Sequence, residues 1–181
     1  LELFDAPGAA DGVIPQGVGN ITGRNMSDLE FNPAGLILYF GDITTSQVGF
    51  MNTDVNSPQF GLNTGSMNIP GPAPVETPMS LSVTPDGENL YALTQQLTGP
   101  VARSLVHWPI NPLDGSEDAG PTRTVISAGG ALRHERFVVS PRGDAAVRTE
   151  YGSPLHLMNL GTLVDIDATP PVQFANVEVD F

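Results

Sequence analysis

Three stretches of the chain repeat one pattern of apolar and polar positions. Leu29-Glu30-Phe31-Asn32-Pro33-Ala34-Gly35 leads into Leu36-Ile37-Leu38-Tyr39. Leu81-Ser82-Val83-Thr84-Pro85-Asp86-Gly87 leads into Glu88-Asn89-Leu90-Tyr91. Phe137-Val138-Val139-Ser140-Pro141-Arg142-Gly143 leads into Asp144-Ala145-Ala146-Val147. Each begins with apolar residues at every second position, passes a small polar residue and Pro-x-Gly, and ends in another apolar run. Period-two alternation is the mark of a strand with one buried face. Proline presets φ at the start of a turn and glycine accepts the positive φ near its end, so each unit predicts a β-hairpin.

The turn prolines Pro33, Pro85 and Pro141 lie 52 and 56 residues apart. A further strand is expected after each hairpin, at Gln47 to Asn52, Ser104 to Asn111 and Pro154 to Asn159. A fourth is expected at Gln59 to Asn68, Thr122 to Ser127 and Val172 to Val179. Four strands in a period of about 50 residues is the pattern of a propeller blade. The prediction is an all-β chain of about three four-stranded antiparallel sheets, with a β-sandwich of similar hairpins as the competing topology. Residues 1–26 read as an N-terminal strand and linker, and residues 27–181 as the repeats, divided 27–78, 79–133 and 134–181. Closed propellers have four to eight blades, and three leave open edges that invite pairing. The expectation is therefore an incomplete propeller, completed by remaining blades of the same protein, by another chain or by a second copy. Leu1 to Phe4 and Val177 to Phe181 alternate like strands able to join a neighbouring sheet, and the opening on Leu1 reads as a fragment or a processed product.

Composition narrows this picture. Twenty Gly and 17 Pro, spread along the chain, leave few windows in which a long helix would persist. The net charge of −13 arises from 20 acidic residues against only 7 basic ones, all of them Arg. Such a balance opposes binding to nucleic acid or to anionic membranes. It favours solubility, a cation or a basic partner. The absence of cysteine excludes disulfides, thiolate catalysis and Cys-ligated metals. No apolar run approaches the ~20 residues of a membrane span, and no signal peptide is visible.

Candidate chemistry is sparse. Gly-x-Ser-x-Gly and His-Glu-x-x-His are absent, and the lack of Lys removes the phosphate-binding P-loop. His107, His134 and His156 show no ligand spacing and read as ordinary strand or loop residues. Asp114, Glu117 and Asp118 offer hard oxygen ligands that suit Ca²⁺, the one cofactor the sequence suggests, although a solvated turn is the plainer reading. Asp165 and Asp167 share one strand face and carry the same pair of readings. Asp42, Thr94 and Glu150 fall at equivalent ends of the second strands, which a propeller would gather near one face as a ligand-binding set. Trp108, the only Trp, is expected to fill space between sheets, with Pro109 marking an edge or bulge.

The run Val83-Thr84-Pro85-Asp86-Gly87-Glu88-Asn89-Leu90-Tyr91-Ala92-Leu93 resembles the repeat of surface-layer and lactonase-like propellers. Ser104 to Asn111-Pro112-Leu113-Asp114-Gly115 resembles the third strand and turn of the same families. The likeness spans roughly residues 27–180, is shared with TolB-like propellers, and implies a fold more than a function. Leu132-Arg133-His134-Glu135-Arg136-Phe137 is similar to the Pro-Arg-His segment of phosphogluconolactonase-type propellers. By that resemblance Arg133, His134 and Glu150 would line the mouth of a central channel and act on a sugar lactone. Thr149 stands where that family has Asn, and the first two repeats hold no Arg-His pair. The leading expectation is a non-catalytic binding or structural module of a larger extracellular or periplasmic protein, with other chains or remaining blades as partners. The alternative is a lactonase-like hydrolase or isomerase, and a third reading is a Ca²⁺-dependent surface module.

Overall fold

The computed structural model describes residues 25–71, 76–96, 102–128, 135–150 and 155–165, and every element in them is a strand. Sheet 1 holds β1 (Met26–Phe31), β2 (Ile37–Asp42), β3 (Gln47–Asn52) and β4 (Asn63–Asn68). Sheet 2 holds β5 (Glu76–Val83), β6 (Asn89–Gln96), β7 (Ala102–Pro109) and β8 (Thr122–Ala128). Sheet 3 holds β9 (Glu135–Val139), β10 (Ala145–Glu150), β11 (His156–Asn159) and β12 (Val164–Asp165). In each sheet the strands neighbour one another in chain order, and all pairs are antiparallel. Among the described residues no helix is long and apolar enough to cross a membrane.

The first hairpin of every sheet closes in the same way. Asn32 N donates to Ile37 O and Gly35 N to Asn32 O, and the same two bonds recur from Thr84 and Gly87 and from Ser140 and Gly143. Gly35, Gly87 and Gly143 sit at φ of 70°, 76° and 74°, a region that only glycine enters without strain. The small polar residue before proline holds the returning strand: Asn32 Oδ1 accepts from the Leu36 and Ile37 amides at 2.8 and 3.0 Å, and Thr84 Oγ1 from Asn89 N at 3.1 Å.

The second strands of sheets 1 and 2 carry long apolar runs, and sheet 2 is covered on both faces, by sheet 1 on one and by sheet 3 on the other. Ile37, Tyr39, Val48, Phe50 and Met67 of sheet 1 meet Leu81, Val83, Leu90, Ala92, Val106, Trp108 and Ile110 of sheet 2. The opposite face of sheet 2, with Tyr91, Leu93 and Leu105, meets Phe137, Val139, Ala146 and Met158 of sheet 3. Burying one such side chain contributes about 1.5–3 kcal/mol. Trp108 lies fully buried in the first junction, as its place in the repeat predicted.

Two fourth strands depart from expectation. β4 begins at Asn63, because Ser57 to Leu62 turn back on themselves through Phe60 N to Ser57 O and Leu62 N to Gln59 O. The fourth strand of sheet 3 is Val164–Asp165, ahead of the expected Val172 to Val179, which lies outside the described residues together with Leu1 to Phe4. Asn159 Oδ1 accepts from Thr162 N, and Leu163 takes a positive φ, so the chain reverses early.

Candidate functional site

The innermost strands β1, β5 and β9 surround a cleft of about 410 Å³ whose lining includes Asp28, Glu30, Ser80, Ser82, Arg136 and Val138. The repeat explains how these side chains come together. Counting back from Asn32, Thr84 and Ser140, positions 28, 80 and 136 are equivalent, and so are 30, 82 and 138. The amides of Asn32, Thr84 and Ser140 donate to the second strand. Two-residue periodicity then turns the amides of the intervening odd-numbered residues away from it, toward the preceding sheet.

Side chains of that preceding sheet meet them. Asp28 Oδ2 accepts from Leu81 N at 2.8 Å and Glu30 Oε1 from Val83 N at 3.2 Å. Ser80 Oγ accepts from Phe137 N and Ser82 Oγ from Val139 N, both at 3.1 Å. The inner edges of β5 and β9 are therefore satisfied by side chains where a further strand would otherwise pair, which answers the exposed-edge problem locally. Asp28 joins all three sheets, because its Oδ1 also accepts from Leu29 N and from Arg136 Nη1, each at 3.0 Å.

A second polar cluster crosses sheet 2. Glu76 on β5 pairs with Arg123 on β8 through both carboxylate oxygens. Its Oε1 also accepts from Ser104 Oγ on β7 at 2.9 Å, and its Oε2 from Thr94 Oγ1 on β6 at 2.5 Å. Glu76, Thr94 and Ser104 are buried, so one carboxylate ties together all four strands of the sheet. A buried ion is tolerated where its lone pairs are filled in this way.

Thr94, expected as a ligand contact, thus belongs to this stitch. Asp42 is buried and closes the β2–β3 turn, accepting from Thr44 N at 2.9 Å, Thr45 N at 3.2 Å and Thr45 Oγ1 at 2.7 Å. Glu150 ends β10 opposite Glu135. Arg133 and His134 lie outside the described residues. In the acidic loop, Asp114 Oδ1 accepts from Ser116 Oγ at 2.6 Å and Ser116 N at 2.9 Å, bonds that hold its carboxyl below the usual range. Glu117 bridges Ile110. Among the described residues no three His, Asp or Glu side chains gather as a metal ion would require.

His107 stacks on Tyr91, with ring centroids 4.7 Å apart, and its Nε2 lies 2.7 Å from Asn89 Oδ1. Burial pushes its pKa down. Burial, reinforced by the Asp114 carboxylate, pushes the Tyr39 phenol up. Neither ring is in the cleft lining. The residues missed in sequence are Asp28, Glu30, Ser80, Ser82 and the Glu76–Arg123 pair. Their one legible signal was the polar-x-polar spacing at 28/30 and 80/82, a fixed distance before each turn.

Solved structures share the fold of the three sheets. The WD40 repeats of RRP9 superpose with a TM-score of 0.55 at 9% identity, over 80% of this chain and 38% of that one. The β-propeller domain of Cps50 (Swd1) from Myceliophteria thermophila gives 0.52 at 13%, over 80% and 40%. A candidate 6-phosphogluconolactonase from Bacteroides uniformis gives 0.53 at 17%, over 84% and 41%. No family model matches the chain, and no curated protein sequence matches it. At such identities the likeness shows the fold: the three sheets are blades of a β-propeller. The chain spans about two fifths of the length of these structures.

Proposed function

We propose that the chain is a non-catalytic β-propeller module, an arc of three blades in a larger extracellular or periplasmic assembly, whose partners are further blades or other protein chains. The observation that carries this reading is the use made of the cleft. Asp28, Glu30, Ser80 and Ser82 are engaged by backbone amides of the next blade, so its acidic and hydroxyl groups act as structural acceptors. Thr94 and Asp42 are likewise engaged within their own blade. The extracellular or periplasmic setting rests on the resemblance to surface-layer propellers and on an acidic, lysine-free composition.

The test is turnover of gluconolactone, followed by acid release in a pH-stat, with the full chain and with Arg133→Ala and His134→Ala. The module reading expects the uncatalysed rate in all three. Hydrolysis above that rate, lost in either variant, would replace it with the lactonase reading.

A further inference from the structure

Sheet 1 packs one face on sheet 2, where Ile37, Tyr39, Val48 and Phe50 fill the first junction. Side chains alternate across a strand, so Leu38 and Phe40 of β2 and Met51 of β3 belong to the other face. Leu29 and Phe31 of β1 share it, opposite Phe40 and Leu38. Among the described strands, β5 is the only one outside sheet 1 that touches β2 or β3, and it lies on the sheet 2 side. The other face is nevertheless covered in part. Leu38, Phe40 and Met51 are 2%, 0% and 3% exposed, whereas Leu29 and Phe31 are 40% and 51% exposed. One side of the Phe40 ring rests against Gly49 of its own sheet, and zero exposure requires atoms over the other side as well. These exposures are those of a single chain, so the covering atoms belong to it. They lie over β2 and β3 and stop short of β1. The undescribed connections within the chain lead to or between strands of sheets 2 and 3, which leaves residues 1–24 and 166–181 as the source.

We propose that residues 1–24 dock across the outer part of this face and bury Leu38, Phe40 and Met51 under apolar side chains drawn from Leu1, Leu3, Phe4, Val13 and Ile14. The segment starts in the right place. Ile43 N donates to Asn25 O at 2.9 Å and Asn25 N to Thr44 Oγ1 at 3.0 Å, so the chain joins sheet 1 at the end of β2, beside the face. Twenty-four residues reach up to about 80 Å when extended, and the six residues of β2 need only about 20 Å. Residues 166–181 instead leave from β12 on sheet 3, with sheets 2 and 1 in between. A segment seated on Leu38, Phe40 and Met51 occupies ground that a stacked blade would need. Blade 1 therefore accepts a neighbour on that side only after residues 1–24 have left it. The docking goes beyond the module reading, and its test is independent of lactone turnover.

Oxidation of the full chain by hydrogen peroxide, followed by mass spectrometry, reads the cover at Met51. Met67, buried in the first junction, reports whether the blades stay packed, and the half-buried Met79 gives the rate of an accessible methionine. In the unsubstituted chain Met51 should oxidise as slowly as Met67 and at least fivefold more slowly than Met79. With Leu3→Glu, Phe4→Glu, Val13→Glu and Ile14→Glu together, Met51 should oxidise at least tenfold faster while Met67 keeps its rate. An unsubstituted chain in which Met51 matches Met79 overturns the proposal, because the face is then bare. Protection that survives the four substitutions overturns it, and so does release of Met51 by Val177→Glu with Val179→Glu, which makes residues 166–181 the cover. Protection lost on tenfold dilution overturns it in favour of a second copy. A nitroxide on Asp5→Cys, the one thiol in a chain without cysteine, gives a check that leaves the apolar residues intact. It should broaden the Met51 methyl resonance and spare that of Met158 on sheet 3, and an unbroadened Met51 signal counts against the proposal.

Discussion

The two junctions between blades share one backbone geometry and differ in chemistry. At the first, carboxylates of Asp28 and Glu30 receive the amides, and the core is large, with Trp108, Tyr39 and Phe50. At the second, the serine hydroxyls Ser80 and Ser82 receive them, and Phe137 is the main filler. The faces that meet there also bury Gln95, Arg103 and Arg148. The lesson is that the repeat fixes where an acceptor must stand and leaves its identity open. Charge-assisted acceptors are about twice as strong as neutral ones, so the first junction is the firmer of the two.

The largest effect expected is from emptying the first core. Trp108→Ala should cost about 3–5 kcal/mol, measured by urea denaturation. It should speed amide exchange at Leu81 and Val83 before that at Phe137 and Val139. Trp108→Phe should cost less, because the indole N–H is buried without a hydrogen-bond partner. If Trp108→Ala loosens both junctions equally, they are one cooperative unit and the contrast fails.

A smaller effect separates the acceptors themselves. Asp28→Ala should cost about 1.5–3 kcal/mol and Ser80→Ala about 0.5–1.5 kcal/mol, the ranges for charged and neutral partners. Equal losses in the same urea series would mean that acceptor charge contributes nothing to the difference.

The smallest effect is a pH dependence on sheet 2. Burial holds the His107 pKa below its ordinary value, so the unfolded chain takes up its proton first as the pH falls. Its contribution is present above the unfolded pKa of about 6.5 and is lost as the pH drops from there toward the folded value. Thermal melting between pH 7.5 and 5.5 should therefore fall more steeply for the native chain than for His107→Gln. Identical slopes would remove His107 from the account.

The hairpins were legible because Pro-x-Gly turns and period-two strands are local: Gly35, Gly87 and Gly143 stand where the sequence placed them. The three-blade fold followed from that repeat. The cleft was not legible, because Asp28 and Leu81 are 53 residues apart and nothing between them signals that a side chain caps a distant amide. Alternating polar residues on a first strand read as a solvent face, whereas here they are the joint between blades. Glu76 and Arg123 were hidden for the same reason, across 47 residues. β12 was misplaced because a two-residue strand has no periodicity to read.

The direction of the inner-strand ladder has a consequence for biosynthesis. In the four bonds that backbone amides make between inner strands, the acceptor comes from the blade nearer the N-terminus and the amide from the one that follows. A ribosome delivers the N-terminal part first, at about 5–20 residues per second. Each new inner strand thus emerges beside a template already made, and no blade has to wait for one not yet translated. The order of the gene is the order in which the arc can grow.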